Sequence, residues 1–147
     1  FSMGLLIGAR LANQPVILSG GSQMIAVIML VLEFLDVQNK DEFFENVFIA
    51  TTRWLVKDNS LNNLLKLINE KYNVNLVGLA SPLNFKSSKF KELNDYEFGH
   101  VKEGVGAGGI SILALIKGFK NKEIVSLCQQ NLEIMKGLGQ ISLEKDC

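Results

Sequence analysis

Residues 15–27, PVILSGGSQMIAV, decide the fold that this sequence predicts. The run PVILS is rich in β-branched and aliphatic side chains and is closed by Gly20 and Gly21, which is typical of a short buried strand. Ser22 is a residue type favoured at a helix N-cap, and the apolar stretch SQMIAVIMLVLEFLDV follows directly. The segment therefore predicts a strand, a glycine turn and a buried helix in that order.

Strands and helices alternate along the rest of the chain. Strands are expected near residues 15–19, 47–52 and 75–80. Helices are expected near residues 22–37, 60–71, 107–118 and 122–136, with a helical pattern in residues 1–14 and a short amphipathic helix in KDEFFENV. The stretch LNFKSSKFKELNDYEFGH is polar and predicts a long loop with one helical turn. Strands that are apolar on both faces and separated by helices predict an α/β fold: a parallel sheet with helices on both faces, in a Rossmann-like three-layer arrangement.

Composition limits the class of protein. The chain has 147 residues, is 48% hydrophobic, and predicts one α/β domain over residues 1–147. Basic and acidic residues balance at 15 each, so no nucleic acid or anionic membrane is expected as a partner. The run MIAVIMLVL is too short to span a bilayer. No secretory signal is visible, and the two cysteines have neither metal-ligand nor disulfide-framework spacing, which favours a cytoplasmic location.

Glycines and polar residues follow each predicted strand. The segments are SGGSQ, TTRW and SPLNF, and a fourth, EGVGAGG, stands directly before a predicted helix. In parallel sheets, ligands bind beyond the carboxyl ends of the strands. We therefore expect these four segments to meet at one crevice.

The candidate phosphate- and nucleotide-binding residues lie in these segments. Glycine turns at helix starts suit phosphate because their N–H groups are free and the helix dipole is positive there. The candidates are Gly20, Gly21, Ser22, Gln23, Thr51, Thr52, Arg53, Lys102, Gly104, Gly106 and Gly108.

Each of these candidates also has a structural interpretation. Glycine turns between strands and helices are common for packing reasons, Arg53 can form an ordinary surface ion pair, and the threonines suit a strand. For Trp54 a half-buried packing role is favoured, and for His100 a structural or loop role.

Glu103 is the candidate catalytic residue. It lies in HVKEGVGAGG, residues 100–109, as a carboxylate beside a glycine-rich backbone. Partial desolvation raises the pKa of such a carboxyl group, which suits a general base that accepts a proton from a ring N–H or a hydroxyl. A carboxylate at a helix entry, favoured by the helix dipole, is the structural alternative.

Three segments resemble the nicotinate-nucleotide:dimethylbenzimidazole phosphoribosyltransferase family, in its archaeal, less characterised branch. They are PVILSGGSQMIAV, IATTRW and GHVKEGVGAGGISIL, of which the last is the most specific. The resemblance implies that the carboxylate of Glu103 accepts the benzimidazole proton while the other ring nitrogen attacks C1 of the ribose. It also implies nicotinate mononucleotide and a benzimidazole-like or purine base as substrates, no metal or other cofactor, and a homodimer.

One family motif has no counterpart here. A glycine-rich phosphate-binding segment of the type E-M-G-I-G-N-T-T does not occur, so we expect the chain to represent the carboxyl-terminal portion of the family's catalytic domain. Residues that choose the acceptor base lie in the missing portion. The alternative function is a non-catalytic nucleotide- or phosphate-binding module of the same fold. A dinucleotide-binding oxidoreductase is disfavoured, because GVGAGG does not follow a strand.

Overall fold

The computed structural model describes residues 1–34, 40–57, 59–99 and 106–144. The strands are β1 (Val16–Ser19), β2 (Val47–Thr52) and β3 (Val77–Ser81). The helices are α1 (Ser2–Leu11), α2 (Ser22–Phe34), α3 (Lys40–Phe44), α4 (Arg53–Val56), α5 (Ser60–Tyr72), α6 (Lys91–Asn94), α7 (Gly106–Ile116) and α8 (Asn121–Glu144). Strands and helices alternate as the sequence predicts.

The strands form one parallel sheet in the order β1-β2-β3. Ser19 pairs with Ala50, and Thr52 pairs with Ser81, so the carboxyl ends of neighbouring strands lie side by side. The predicted parallel α/β sheet is confirmed, although β1 and β3 begin one and two residues later than expected. Because all strands run the same way, the segments that follow them leave from one edge.

The main hydrophobic core joins the sheet to helices α1, α2 and α5. Leu6, Ile28 and Ile49 are at most 1% exposed and belong to one buried cluster with Leu65 and Ile68. Burial of each large aliphatic side chain contributes about 1.5–3 kcal/mol to folding. This cluster fixes the strands against those helices and so sets the position of the strand ends.

The starts of α2 and α7 agree with the sequence prediction to within one residue. Ser22, which was also considered as an N-cap, is the first residue of α2. α7 begins at Gly106, one residue before the expected start, so Gly106, Gly108 and Gly109 all lie in the first turn of the helix. Glycine is disfavoured in helices by about 1 kcal/mol relative to alanine, so packing against the sheet must compensate.

Residues 83–99 behave as a long connection with one helical turn, α6, as predicted. The segment is less solvent-exposed than its polar composition suggests. Leu83 and Phe85 are buried with Val125 of α8 in a second hydrophobic cluster that Trp54 and Tyr96 also join. Across the part of the chain that is described, no helix has both the length and the apolar character needed to cross a membrane.

Candidate functional site

The start of α7 lies against the end of β1. The hydroxyl of Ser19 donates a hydrogen bond to the carbonyl oxygen of Gly106. Gly109 also touches Ser19, because a Cβ at Gly109 would lie 2.3 Å from Ser19 Oγ. Gly20 and Gly21 follow Ser19 directly in the chain. The two glycine segments are therefore neighbours at the carboxyl edge of the sheet, at least in their described parts.

Gly108 rests on the end of β2. A Cβ at Gly108 would stand 2.0 Å from the carbonyl carbon of Thr51 and 2.4 Å from the backbone nitrogen of Thr52. Side chains cannot occupy that space, so the glycine is required for α7 to approach the strand. Among the described residues, a Cβ at Gly106 would meet only atoms of Ser19, at 3.8 Å. Packing therefore explains Gly108 and Gly109 but does not explain Gly106.

A chain of hydroxyl groups links β3 to α7. Ser111 donates a hydrogen bond to the carbonyl oxygen of Gly108 at 2.8 Å, and its oxygen lies 2.5 Å from the hydroxyl of Ser81. The oxygen of Ser81 accepts the backbone N–H of Leu83 at 3.2 Å. Since the proton of Ser111 is committed to Gly108, Ser81 is the donor of the shared bond. Both serines are buried, so this chain fixes the first turn of α7 over the strand ends.

The turn after β1 has fewer free N–H groups than the sequence suggests. The N–H of Gly20 donates to Ala50 at 2.9 Å as a continuation of the sheet, so this amide is not available to a phosphate. At a helix start the N–H groups of Ser22 and Gln23 have no intrahelical acceptor, and both residues are exposed. Phosphate binding by Gly21, Ser22 and Gln23 remains a prediction.

Gly21 also has a packing role. A Cβ at this position would come within 2.6 Å of a methyl group of Leu55 in α4. The turn after β1 therefore lies against the helix that follows β2, which brings those two candidate segments together.

Thr51 and Thr52 are both buried at the end of β2. Thr51 Oγ1 has no hydrogen-bond partner among the residues that the structure describes. Their burial fits the strand role, and their role in nucleotide binding stays a prediction.

Arg53 pairs with Glu97, a residue that the sequence did not single out. The guanidinium of Arg53 forms an ion pair with Glu97 Oε2, and the second oxygen of Glu97 accepts the backbone N–H of Phe85 at 2.8 Å. The Glu97 side chain is only 4% exposed and that of Arg53 is 28% exposed. The pair is therefore partly buried and differs from the exposed ion pair considered from the sequence.

The pKa of Glu97 reflects this environment. Burial by itself raises the pKa of the carboxyl group, but the N–H of Phe85, the indole of Trp54 and the guanidinium of Arg53 together lower it below its ordinary value. Glu97 is therefore a carboxylate at neutral pH and has no tendency to act as a proton donor.

Trp54 packs as predicted. Its ring stacks on Phe85 with centroids 5.6 Å apart and planes 18° apart, and it lies 5.3 Å from the ring of Tyr96. The indole Nε1 is buried near the carboxylate of Glu97, although the two do not form a hydrogen bond of standard geometry. These three rings, which we call the aromatic cluster, hold residues 83–99 against α4. The predicted packing role is confirmed.

Four of the singled-out residues, Glu103, Lys102, Gly104 and His100, lie outside the described residues. Glu103 precedes Gly106 by three positions in the sequence, so the segment that carries it joins α7 at the edge described above. In the described part of the chain, no group of three or more His, Cys, Asp or Glu side chains is arranged to hold a metal ion.

Sequence reasoning missed Ser19, Ser81, Ser111 and Glu97 at this edge. Serine at a strand end has no specific signature, because the same residue type is common in turns. Glu97 lies 44 positions from Arg53, and nothing in a single sequence indicates that pairing.

This chain is similar to proteins named UPF0284. It is 85% identical over 147 residues to one from Prochlorococcus marinus strain MIT 9312, a match that covers 100% of this chain and 38% of that relative. It is 38% identical over 144 residues to one from strain MIT 9313, covering 92% of this chain and 36% of the relative. The relative from Thermococcus kodakarensis is 36% identical over 136 residues, a match that covers 92% of this chain and 37% of that relative.

The chain thus spans little more than a third of the length of these curated relatives. Their names state no activity. No protein-family model matches the chain.

Proposed function

We propose that this chain contributes the Glu103 segment to a phosphoribosyltransferase. The enzyme moves ribose phosphate from nicotinate mononucleotide to a benzimidazole-type base, forming an α-ribazole-type phosphate for the lower ligand of a cobamide. The observation that carries the proposal is the meeting of the turn after β1 with the first turn of α7 at the carboxyl edge of a parallel sheet. The resemblance of residues 99–113 to the family's catalytic segment supplies the chemistry.

In this proposal Glu103 acts as the general base. Its carboxylate accepts the N–H proton of the acceptor ring, and the other ring nitrogen attacks C1 of the ribose. The C–N bond to nicotinate breaks, and nicotinate leaves with the bonding electrons. In the same proposal, N–H groups at the starts of α2 and α7 hold the ribose phosphate.

Glu103→Gln tests the proposal in the full-length protein. Glutamine keeps the size of the side chain but cannot accept the proton, so we expect kcat to fall by roughly two to four orders of magnitude with nearly unchanged nucleotide affinity. Nicotinate release is followed with a panel of benzimidazoles and purines as acceptors, which also identifies the base. Glu70→Gln, on the exposed face of α5, is the control and retains full activity.

Turnover by Glu103→Gln at the wild-type rate removes Glu103 from the mechanism. If the wild-type protein releases no nicotinate with any acceptor, the alternative function gains support.

The alternative is a non-catalytic nucleotide- or phosphate-binding module. One observation favours it: Gly108 and Gly109 are explained by packing against Thr51 and Ser19 alone, without any ligand. Binding of nicotinate mononucleotide without turnover is the result that this alternative predicts.

We also propose that the sheet is the centre of a Rossmann-like three-layer domain and that the protein is a cytoplasmic homodimer. Ile17, Phe48 and Leu79 line an open groove of about 650 Å³ together with Ile110 and Leu113 of α7. Parallel sheets are normally covered on both faces, so a groove of this kind calls for further protein atoms. Sedimentation of the full-length protein tests the dimer, and a monomer at micromolar concentration contradicts it.

A further inference from the structure

We propose that Glu97 is a positioning residue that holds the guanidinium of Arg53 for the phosphate of the substrate. Through Glu97, residues 83–99 are coupled to the phosphate site. This inference rests on the proposed function, which supplies a phosphate-bearing substrate.

Both oxygens of Glu97 are already engaged. Oε2 is paired with Nη2 of Arg53, and Oε1 accepts a hydrogen bond from the backbone N–H of Phe85 at 2.8 Å. With only 4% of its side chain exposed, Glu97 is not accessible to a substrate. Its effect on a ligand must therefore pass through Arg53, whose orientation it fixes.

Arg53 retains donors that Glu97 does not use. Guanidinium groups carry five N–H bonds, whereas the ion pair with Glu97 is made through Nη2 alone. Nε is buried, but 28% of the Arg53 side chain is exposed, so part of the guanidinium can meet a ligand. Phosphate oxygens match the planar fork of a guanidinium, and Arg53 follows Thr52 at the carboxyl edge where the starts of α2 and α7 also lie.

The aromatic cluster links this pair to residues 83–99. The guanidinium carbon of Arg53 lies 5.9 Å from the ring of Trp54, which stacks on Phe85. Because Glu97 also accepts the N–H of Phe85, one carboxylate joins the strand end, the cluster and the segment that leads toward Glu103. Loss of Glu97 is therefore expected to have two effects at once: the guanidinium of Arg53 is no longer held in place, and residues 83–99 are held less firmly at the strand end.

A double-mutant cycle measured by calorimetry tests the inference in the full-length protein. The variants are Arg53→Ala, Glu97→Ala and the double variant, and the ligands are nicotinate mononucleotide and nicotinate riboside, which lacks the phosphate. We expect each single variant to weaken mononucleotide binding by about 10- to 100-fold, the effect of losing a charge-assisted hydrogen bond. The double variant loses no more than Arg53→Ala alone, because Glu97 acts through Arg53. Riboside affinity changes by less than about twofold.

Glu97→Gln separates positioning from folding. Glutamine keeps the shape and can still accept the N–H of Phe85, so it is expected to recover part of the affinity lost in Glu97→Ala. In turnover, its KM for the mononucleotide rises while kcat stays near the wild-type value. If Glu97→Ala does not fold, Glu97→Gln is used in its place. A weaker affinity for the mononucleotide, with an unchanged affinity for the riboside, then supports the positioning role.

Two outcomes overturn the inference. The first is that the affinity losses of Arg53→Ala and Glu97→Ala add in the double variant. The second is that the variants lose as much affinity for the riboside as for the mononucleotide. Either result means that the role of Glu97 is structural only. If wild-type protein binds neither nicotinate compound, the proposed function fails, and inorganic phosphate becomes the probe. Phosphate binding that depends on both Arg53 and Glu97 then supports the inference, and its absence in the wild type overturns it.

Discussion

Gly108 of α7 stands directly over the backbone of Thr51 at the end of β2, where a Cβ would come 2.0 Å from the carbonyl carbon of Thr51. No rotamer relieves such a contact, because both sides are backbone. The close approach brings the start of α7 to the carboxyl edge of the sheet, so the position of that start depends on this contact.

Gly108→Ala is expected to destabilise the fold by about 3 kcal/mol or more, since α7 must move away from β2. Gly106→Ala is the matched control in the same helical turn, where the nearest described atoms to a Cβ belong to Ser19, at 3.8 Å. There the better helix propensity of alanine predicts an unchanged or slightly higher stability. Urea unfolding measures both variants, and equal stabilities would contradict the close approach.

Ser111→Ala interrupts the hydroxyl chain between β3 and α7. The buried hydroxyl of Ser81 loses its acceptor, so we expect a loss of about 1–3 kcal/mol in the free energy of unfolding. The double variant Ser81→Ala/Ser111→Ala should lose less than the sum of the two single losses, because the groups are coupled. Ser126→Ala, on the exposed side of α8, serves as the control and stays within about 0.5 kcal/mol of the wild type. If the two single losses in unfolding free energy add exactly in the double variant, Ser81 and Ser111 are not coupled by a hydrogen bond.

The paired state of Glu97 predicts a specific acid dependence. Its pKa is lower in the folded protein than in the unfolded chain, where glutamate has a value of about 4.3. The stabilising contribution is therefore fully present above about pH 4.3 and is lost as the pH falls through the folded pKa. Glu97→Gln is expected to flatten this part of the curve of unfolding free energy against pH.

Glu33→Gln is the comparison for that experiment. Hydrogen bonds from Tyr72 and Lys71 also lower the pKa of Glu33, but its side chain is exposed. Solvent and salt screen such a pair, so Glu33→Gln should change the fall of the unfolding free energy at acid pH only slightly. If Glu97→Gln also leaves that fall unchanged, the pair of Glu97 with Arg53 does not persist in solution.

Trp54 is the single tryptophan of this chain and reports on the aromatic cluster. Phe85→Ala removes its stacked partner and opens the second hydrophobic cluster to water, so the fluorescence emission of Trp54 should shift to the red. Because Phe85 is 5% exposed, stability should fall by about 3–5 kcal/mol. Phe34→Ala, at an exposed aromatic position at the end of α2, is the control and leaves the emission unchanged. An emission of Phe85→Ala that matches the wild type would contradict the stacking.

The features that the sequence predicted well are those set by local pattern. PVILS and VFIATT are β-branched runs bounded by turn residues, and their strands were placed to within one residue. The helix predicted near residues 60–71 is α5, and its buried residues Leu61, Leu65 and Ile68 are spaced four and three positions apart. The start of α7 was also predicted to within one residue, but no local pattern indicates that Gly108 and Gly109 are required by their packing on β2 and β1.

By itself, then, the sequence determined the order of strands and helices, the parallel sheet and the edge at which the segments of interest gather, because periodicity and turn chemistry are local properties of the chain. Only the tertiary structure decided which atoms meet at that edge. Arg53 with Glu97, Ser81 with Ser111, and Gly108 with Thr51 are separated by 30 residues or more in each case. Such pairings depend on how the helices pack on the sheet, and packing is a property of the whole fold that no single segment records.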